Sequence, residues 1–162
     1  MDNKRLATIY AYKTLLLAIV DSINTDRSKI AKELGLTIPQ HHLLWVIHFK
    51  PGCTLSQLAE YSLSTVANVK HVVDNLVKKE VVVKYIDPKD ARARRVYLTE
   101  RGEELIKKAA KSAEGYRVLS MLDKLQEEEV QKNMETLFSV VENLQSKEYV
   151  EFLKTNINKL LG

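Results

Sequence analysis

The chain has 162 residues, 45% hydrophobic and 28% charged, with five Gly, three Pro and one Cys. That is the composition of a soluble globular protein of one domain with room for an extended helical element, and it excludes disorder, low complexity, an internal disulfide framework and a cysteine-cage metal site. The longest unbroken apolar run, Leu15 to Val20, falls short of a membrane span, and Met1-Asp2-Asn3-Lys4-Arg5 does not open a signal peptide, so no membrane partner and a cytoplasmic location are expected.

With so few Gly and Pro, each one marks a boundary. From about Arg5 to Glu33 there is neither, and Leu6, Ile9, Tyr10, Leu16, Leu17, Val20 and Ile23 predict one long helix, greasier in its first half than a solvent-facing helix needs. Gly35 closes it. Thr37-Ile38-Pro39-Gln40 reads as a capping box with Pro in the first turn, opening a helix that Lys50-Pro51-Gly52 ends. A second box, Thr54 with Gln57, opens a short helix to about Tyr61. Ser64 is the expected cap of a further helix to about Lys79, with Val66, Val69, Val72, Val73 and Leu76 as its apolar stripe. Ser64, Asn68, His71, Asn75 and Lys78 form the opposite polar face. Two helices joined by so short a turn match the helix-turn-helix plan.

Val81 to Ile86 is β-branched and aromatic, and Arg95-Val96-Tyr97-Leu98 alternates, so both read as strands. The polar turn between them, Asp87 to Arg94, makes a two-stranded hairpin with a basic tip, a wing. The charge is placed to match: residues 64–98 hold eight Lys/Arg against four Asp/Glu, equal to the whole chain's net +4. Such a segment is a candidate polyanion-facing surface. Beyond it the chain is helical again, with Thr99 capping a helix through about Leu122 that contains Gly115. A second helix opens at Glu127-Glu128-Glu129 and repeats Val130, Met134, Leu137, Val141 and Leu144. A final amphipathic stretch carries Tyr149, Leu153, Ile157 and Leu160.

The wing segment Asp90-Ala91-Arg92-Ala93-Arg94-Arg95-Val96-Tyr97-Leu98-Thr99-Glu100-Arg101-Gly102 resembles the signature of the MarR/SlyA family of regulators: Asp-x-Arg, then Val-x-Leu-Thr, then Gly at the helix start. Leu58-Ala59-Glu60 and Asp74 to Lys79 resemble the family's paired DNA-binding helices. The resemblance implies a mainly α winged helix-turn-helix protein with a two-stranded β-hairpin wing and N- and C-terminal dimerisation helices. Residues 1–34 and 99–162 would form the dimerisation region around a head at 37–98. It also implies a homodimer on a pseudo-palindromic site in double-stranded DNA. The sequence departs from the family's usual pattern at His71, where many relatives carry Arg, and at Glu80, where Gly is usual.

A helix with small polar residues at its N-terminus can enter the major groove, which makes Ser64, Thr65, Asn68, Lys70 and His71 candidate readers of base edges. A basic hairpin tip suits the narrow minor groove of A·T-rich DNA. Arg92 is the candidate for that groove, with Asp90 bracing the wing and Lys89, Arg94 and Arg95 on phosphates. The function that follows is a transcriptional regulator, a repressor, with a winged-helix module binding an acidic protein as the alternative. No paired-carboxylate, nucleophile-elbow or phosphate-loop signature suggests an enzyme.

Three sharper readings give way to plainer ones. His41 and His42 are adjacent and diverge by about 100° on a helix, so a structural role outweighs zinc sensing. Cys53 reads as an inert thiol rather than a peroxide sensor. Trp45, Tyr10, Tyr12, Tyr61, Tyr85 and Phe49 could line a pocket for a small phenolic or other effector, although aromatics at helical spacing are more often core. No cofactor is expected.

Overall fold

The computed structural model describes residues 2–161. In chain order the elements are α1 (Asn3–Glu33), α2 (Ile38–Phe49), β1 (Cys53–Thr54), α3 (Leu55–Tyr61), α4 (Val66–Lys78), β2 (Val82–Ile86), β3 (Arg94–Leu98), α5 (Glu100–Ala113), α6 (Arg117–Leu122), α7 (Glu127–Leu144) and α8 (Lys147–Leu161). The expected mainly helical winged architecture is present.

Local signals set the helix starts. Thr37 and Gln40 exchange side-chain and backbone bonds at the head of α2, as do Thr54 and Gln57 at α3. The helix ends are also alike. α1, α3 and α4 each close through a left-handed residue, at Gly35 (φ 69°), Leu63 (φ 50°) and Glu80 (φ 60°). Each time, that residue's N–H and the next one's satisfy the last turn: Leu63 N to Glu60 O and Ser64 N to Ala59 O, then Glu80 N to Val77 O and Val81 N to Leu76 O. Glu80 thus takes the conformation for which Gly is suited.

The head's core is formed by Leu44, Ile47, Leu58, Val69, Val73, Leu76, Val81, Val82 and Val96, all essentially fully buried. β2 and β3 pair antiparallel from Val82↔Leu98 to Ile86↔Arg94. The hairpin is not alone, because β1 adds a third strand in the order β1-β3-β2 with Cys53 opposite Val96. Gly102 lets α5 start hard against this sheet, since a Cβ there would lie 2.2 Å from the Val81 carbonyl oxygen.

Two expectations need correction. The helix from Thr99 does not run to Leu122: α5 stops at Ala113 and Tyr116 turns extended (φ −66°, ψ 129°) before α6. Gly115 therefore marks a break between helices and not a crossing within one, as befits its poor helix propensity. The unbroken-run criterion also understated α1, which contains an 18-residue window with mean hydropathy 1.5, long and apolar enough to cross a membrane by length and composition alone. Lys13 and Asp21 interrupt its runs without removing the apolar excess.

Only the C-terminal end of α1 is covered, through Asp26, Ile30 and Ala31. Leu6, Ile9, Tyr10, Leu15, Leu17 and Ile19 are exposed, as are Met121 and Leu122 in α6 and Met134, Leu137, Val140 and Leu144 in α7. α8 folds back onto the head. Phe152 stacks on Tyr61 with centroids 4.3 Å apart, and Lys159 Nζ donates to the Phe49 carbonyl at 3.1 Å.

Candidate nucleic-acid interface

The candidate surface is built on α4 and the β2–β3 wing. The cap of α4 is Thr65 and not Ser64: Thr65 Oγ1 accepts from Asn68 N at 3.2 Å, while Ser64 Oγ accepts from Asn68 Nδ2 at 2.9 Å. Two adjacent hydroxyl residues are both plausible caps in sequence, and the left-handed Leu63 decides which one meets the helix. Asn68, Lys70 and His71 are exposed along the first two turns, and His71 Nε2 lies 3.2 Å from Asn75 Nδ2.

The wing tip is organised by two aspartates. Asp90 Oδ1 accepts from Arg92 N at 2.9 Å, and Ala93 N returns to the Asp90 carbonyl at 3.0 Å, so Asp90 holds the turn that carries Arg92. Asp87 is buried, accepts from Lys89 N at 2.7 Å and pairs with Arg95 Nη2 at 2.6 Å. The Lys89 amide bond, outweighing the cost of burial, together with the Arg95 guanidinium, holds this carboxyl below the usual aspartate range.

The basic residues then separate into two groups. Arg95 is bound to Asp87 and to the Gly52 carbonyl (3.0 Å), Lys84 to Asp74 (2.6 Å), and Lys79 to the Gly35 carbonyl (2.9 Å). Among the described residues Lys70, Lys78, Lys89 and Arg92 make no ion pair, and Arg94 meets only the carbonyls of Ala91 and Ala93. Lys78 stood outside the candidate set. It is exposed two helical turns beyond His71, on the same face, and that seven-residue spacing was its signal.

The other sequence motifs are dispersed. Tyr10 and Tyr12 are exposed on α1 and Tyr85 stands on the wing. Trp45 stacks on Phe49 at 5.6 Å within α2, and none of the six aromatics lines the cavity beneath α4. That cavity measures about 280 Å³, with Arg27, Pro39, His42, Leu63 and Asn68 on its walls. His41 is buried and accepts from Trp45 Nε1 at 3.4 Å. Desolvation, with Arg27 and His42 nearby, pushes it down to about 4. Cys53 is buried with its thiol donating to the Lys50 carbonyl, and burial raises it to about 11, the reverse of a reactive thiolate. No group of three or more His, Cys, Asp and Glu residues suited to a metal occurs among the described residues.

A helix-turn-helix flanked by a β-hairpin with unpaired cations on both parts defines a winged helix protein. Residues 36–93 match the MarR family model. It is 36% identical over 81 residues to the HTH-type transcriptional regulator YhbI of Bacillus subtilis, covering 50% of this chain and 53% of that protein. It is 29% identical over 91 residues to the HTH-type transcriptional regulator Hpr of Geobacillus thermodenitrificans, covering 56% and 46%. The chain thus spans about half the length of the curated relatives it matches. In fold it is similar to Sco3205, a MarR family transcriptional regulator from Streptomyces coelicolor solved in complex with DNA. The TM-score is 0.74 at 22% identity, over 91% of this chain and 96% of that one.

Proposed function

We propose that this chain is a sequence-specific, double-stranded DNA-binding transcriptional regulator that acts as a homodimeric repressor. The observation that carries this reading is the separation of two unsatisfied surfaces. Unpaired Lys70, Lys78, Lys89 and Arg92 cluster on the helix and wing, while most of the uncovered large apolar side chains lie on α1, α6 and α7. A second copy would cover the apolar surface, with 1–34 and 99–162 as the dimerisation region and 37–98 as the head. Burying the apolar face of α1 this way also gives that helix a role that needs no membrane. In the dimer, α4 enters the major groove in each half-site and Arg92 reaches the adjoining minor groove.

An effector would act through the spacing of the two α4 helices. The cavity beneath α4 suits that role by position, because a molecule seated there touches both α1 and the reading helix. Relief of repression by such a ligand is part of the proposal.

The test is duplex binding by the full chain across a salt series. Affinity is expected to fall steeply as salt rises, and Arg92→Ala to weaken binding and lower the salt slope by about 1. A protein that ignores duplex DNA at low salt would overturn the reading.

A further inference from the structure

The stripe Val69, Val72, Val73 and Leu76 seats α4 on the core. One more valine of that helix does not join it. Val66 opens α4 with 47% of its surface exposed, lies outside the core cluster, and is followed by an exposed Ala67. The sequence pattern assigned Val66 to the apolar stripe, and the structure turns it out because the helix begins only at this residue. A β-branched side chain in water at a helix start serves neither the helix nor the core.

Its polar neighbours are already occupied. Thr65 Oγ1 caps Asn68 N, Asn68 Nδ2 is held by Ser64 Oγ, and the His71 ring meets Asn75. The first turn therefore offers an apolar step, Val66-Ala67, set beside hydroxyls and one turn from the unpaired Lys70. In the major groove of DNA the apolar feature on a base edge is the C5-methyl group of thymine.

We propose that Val66, with the small Ala67 leaving it room, is a specificity-determining residue that reads thymine methyl groups in each half-site. The inference rests on the DNA-binding reading of the winged head. Recognition by methyl contact favours T at one or two fixed positions without fixing a hydrogen-bond pattern there. It also leaves Asn68 and Ser64 free to keep their mutual bond in the complex.

The test separates this from DNA binding itself. Duplexes selected by the full chain from a randomised library are remade with deoxyuridine replacing thymidine one position at a time, which deletes the methyl and keeps every hydrogen-bonding group. At one or two positions per half-site the wild type is expected to lose about 4-fold in affinity, the worth of one methyl group taken from water. Val66→Ala should lose a similar factor on the thymine duplex and nothing further on the uracil duplex at those positions. Val66→Thr, nearly isosteric and with one γ-methyl retained, checks that any loss is not misfolding, and it should keep part of the uracil sensitivity that Val66→Ala loses. Tight binding that no uracil substitution changes, or losses from Val66→Ala and uracil that simply multiply, would overturn the proposal while leaving DNA binding intact. Failure to select any duplex would overturn both.

Discussion

Asp26 of α1 caps a helix to which it does not belong. Its carboxylate accepts the backbone N–H of Arg117, the first residue of α6, at 3.0 Å and the Arg117 Nε at 3.0 and 3.3 Å. Tyr116, the residue in the N-cap position, supplies no side-chain bond of its own. The Arg117 amide contributes most to keeping Asp26 ionised below the ordinary aspartate range, against the opposing effect of burial. A six-residue helix with no buried residue of its own is thereby fixed to α1 at the point where the chain turns toward α7.

Asp26→Ala is therefore expected to free α6 while leaving the head folded. Amide exchange should accelerate across residues 117–122 and remain slow in α2 and α4. Because Asp26 has a depressed folded-state pKa, its contribution is present above the free carboxyl value of 3.8 and fades as pH falls through the lower folded value. Uniform exchange rates in α6 of wild type and variant would remove Asp26 from this role.

Gly102 is expected to be irreplaceable for a backbone reason. The added Cβ of Gly102→Ala meets the Val81 carbonyl oxygen, which already accepts from Thr99 N, so neither backbone segment can move without losing the α5 cap or the start of β2. A cost of about 1–3 kcal/mol is the usual scale for such overpacking, read as a lower urea midpoint with unchanged m. A midpoint equal to wild type would show that the junction relaxes freely.

What the sequence revealed and what it hid divide along contact distance. The boxes at Thr37 and Thr54 were legible because their partners lie three residues away. The wing was legible because alternation at Arg95 to Leu98 is local too. Pairing of Cys53 with Val96 spans 43 residues and left no local mark, so the third strand was invisible. The break at Gly115 was hidden for a related reason: one Gly is tolerated in many helices, and what caps the next helix beyond it is Asp26, far away in sequence. Within the candidate site, Arg92 and Arg95 look alike in a basic run, and only the burial of Asp87 tells them apart.

That difference is measurable. Arg95→Ala removes the ion-pair partner of buried Asp87 and a donor to the Gly52 carbonyl, so the wing should loosen and the melting temperature fall. Arg92→Ala removes a side chain without an ion pair and should leave the melting temperature unchanged while DNA affinity drops. Equal thermal stability in both variants would place Arg95 with the free cations as a phosphate contact alone.

The last expectation concerns acid. His41 is buried in α2 with Trp45 Nε1–H donating to its Nε2, and its Nδ1 has no partner among the described residues. Desolvation is the main cause that lowers it from 6.5 to about 4, assisted by the nearby Arg27 and His42. A folded-state pKa below the unfolded one means that the unfolded chain binds the proton first as pH drops. The neutral ring's contribution is thus complete above pH 6.5 and is lost as pH falls from there to about 4, on the order of 3 kcal/mol in all. Asp26, Asp74 and Asp87, all depressed below 3.8, act at lower pH and leave this window to the histidines. His41→Gln keeps an acceptor for Trp45 and removes the titration. Urea midpoints at pH 7 and pH 4.5 should therefore converge in the variant relative to wild type, with His42, lowered for the same reason, accounting for what slope remains. An identical drop in both proteins would assign the acid sensitivity to other groups.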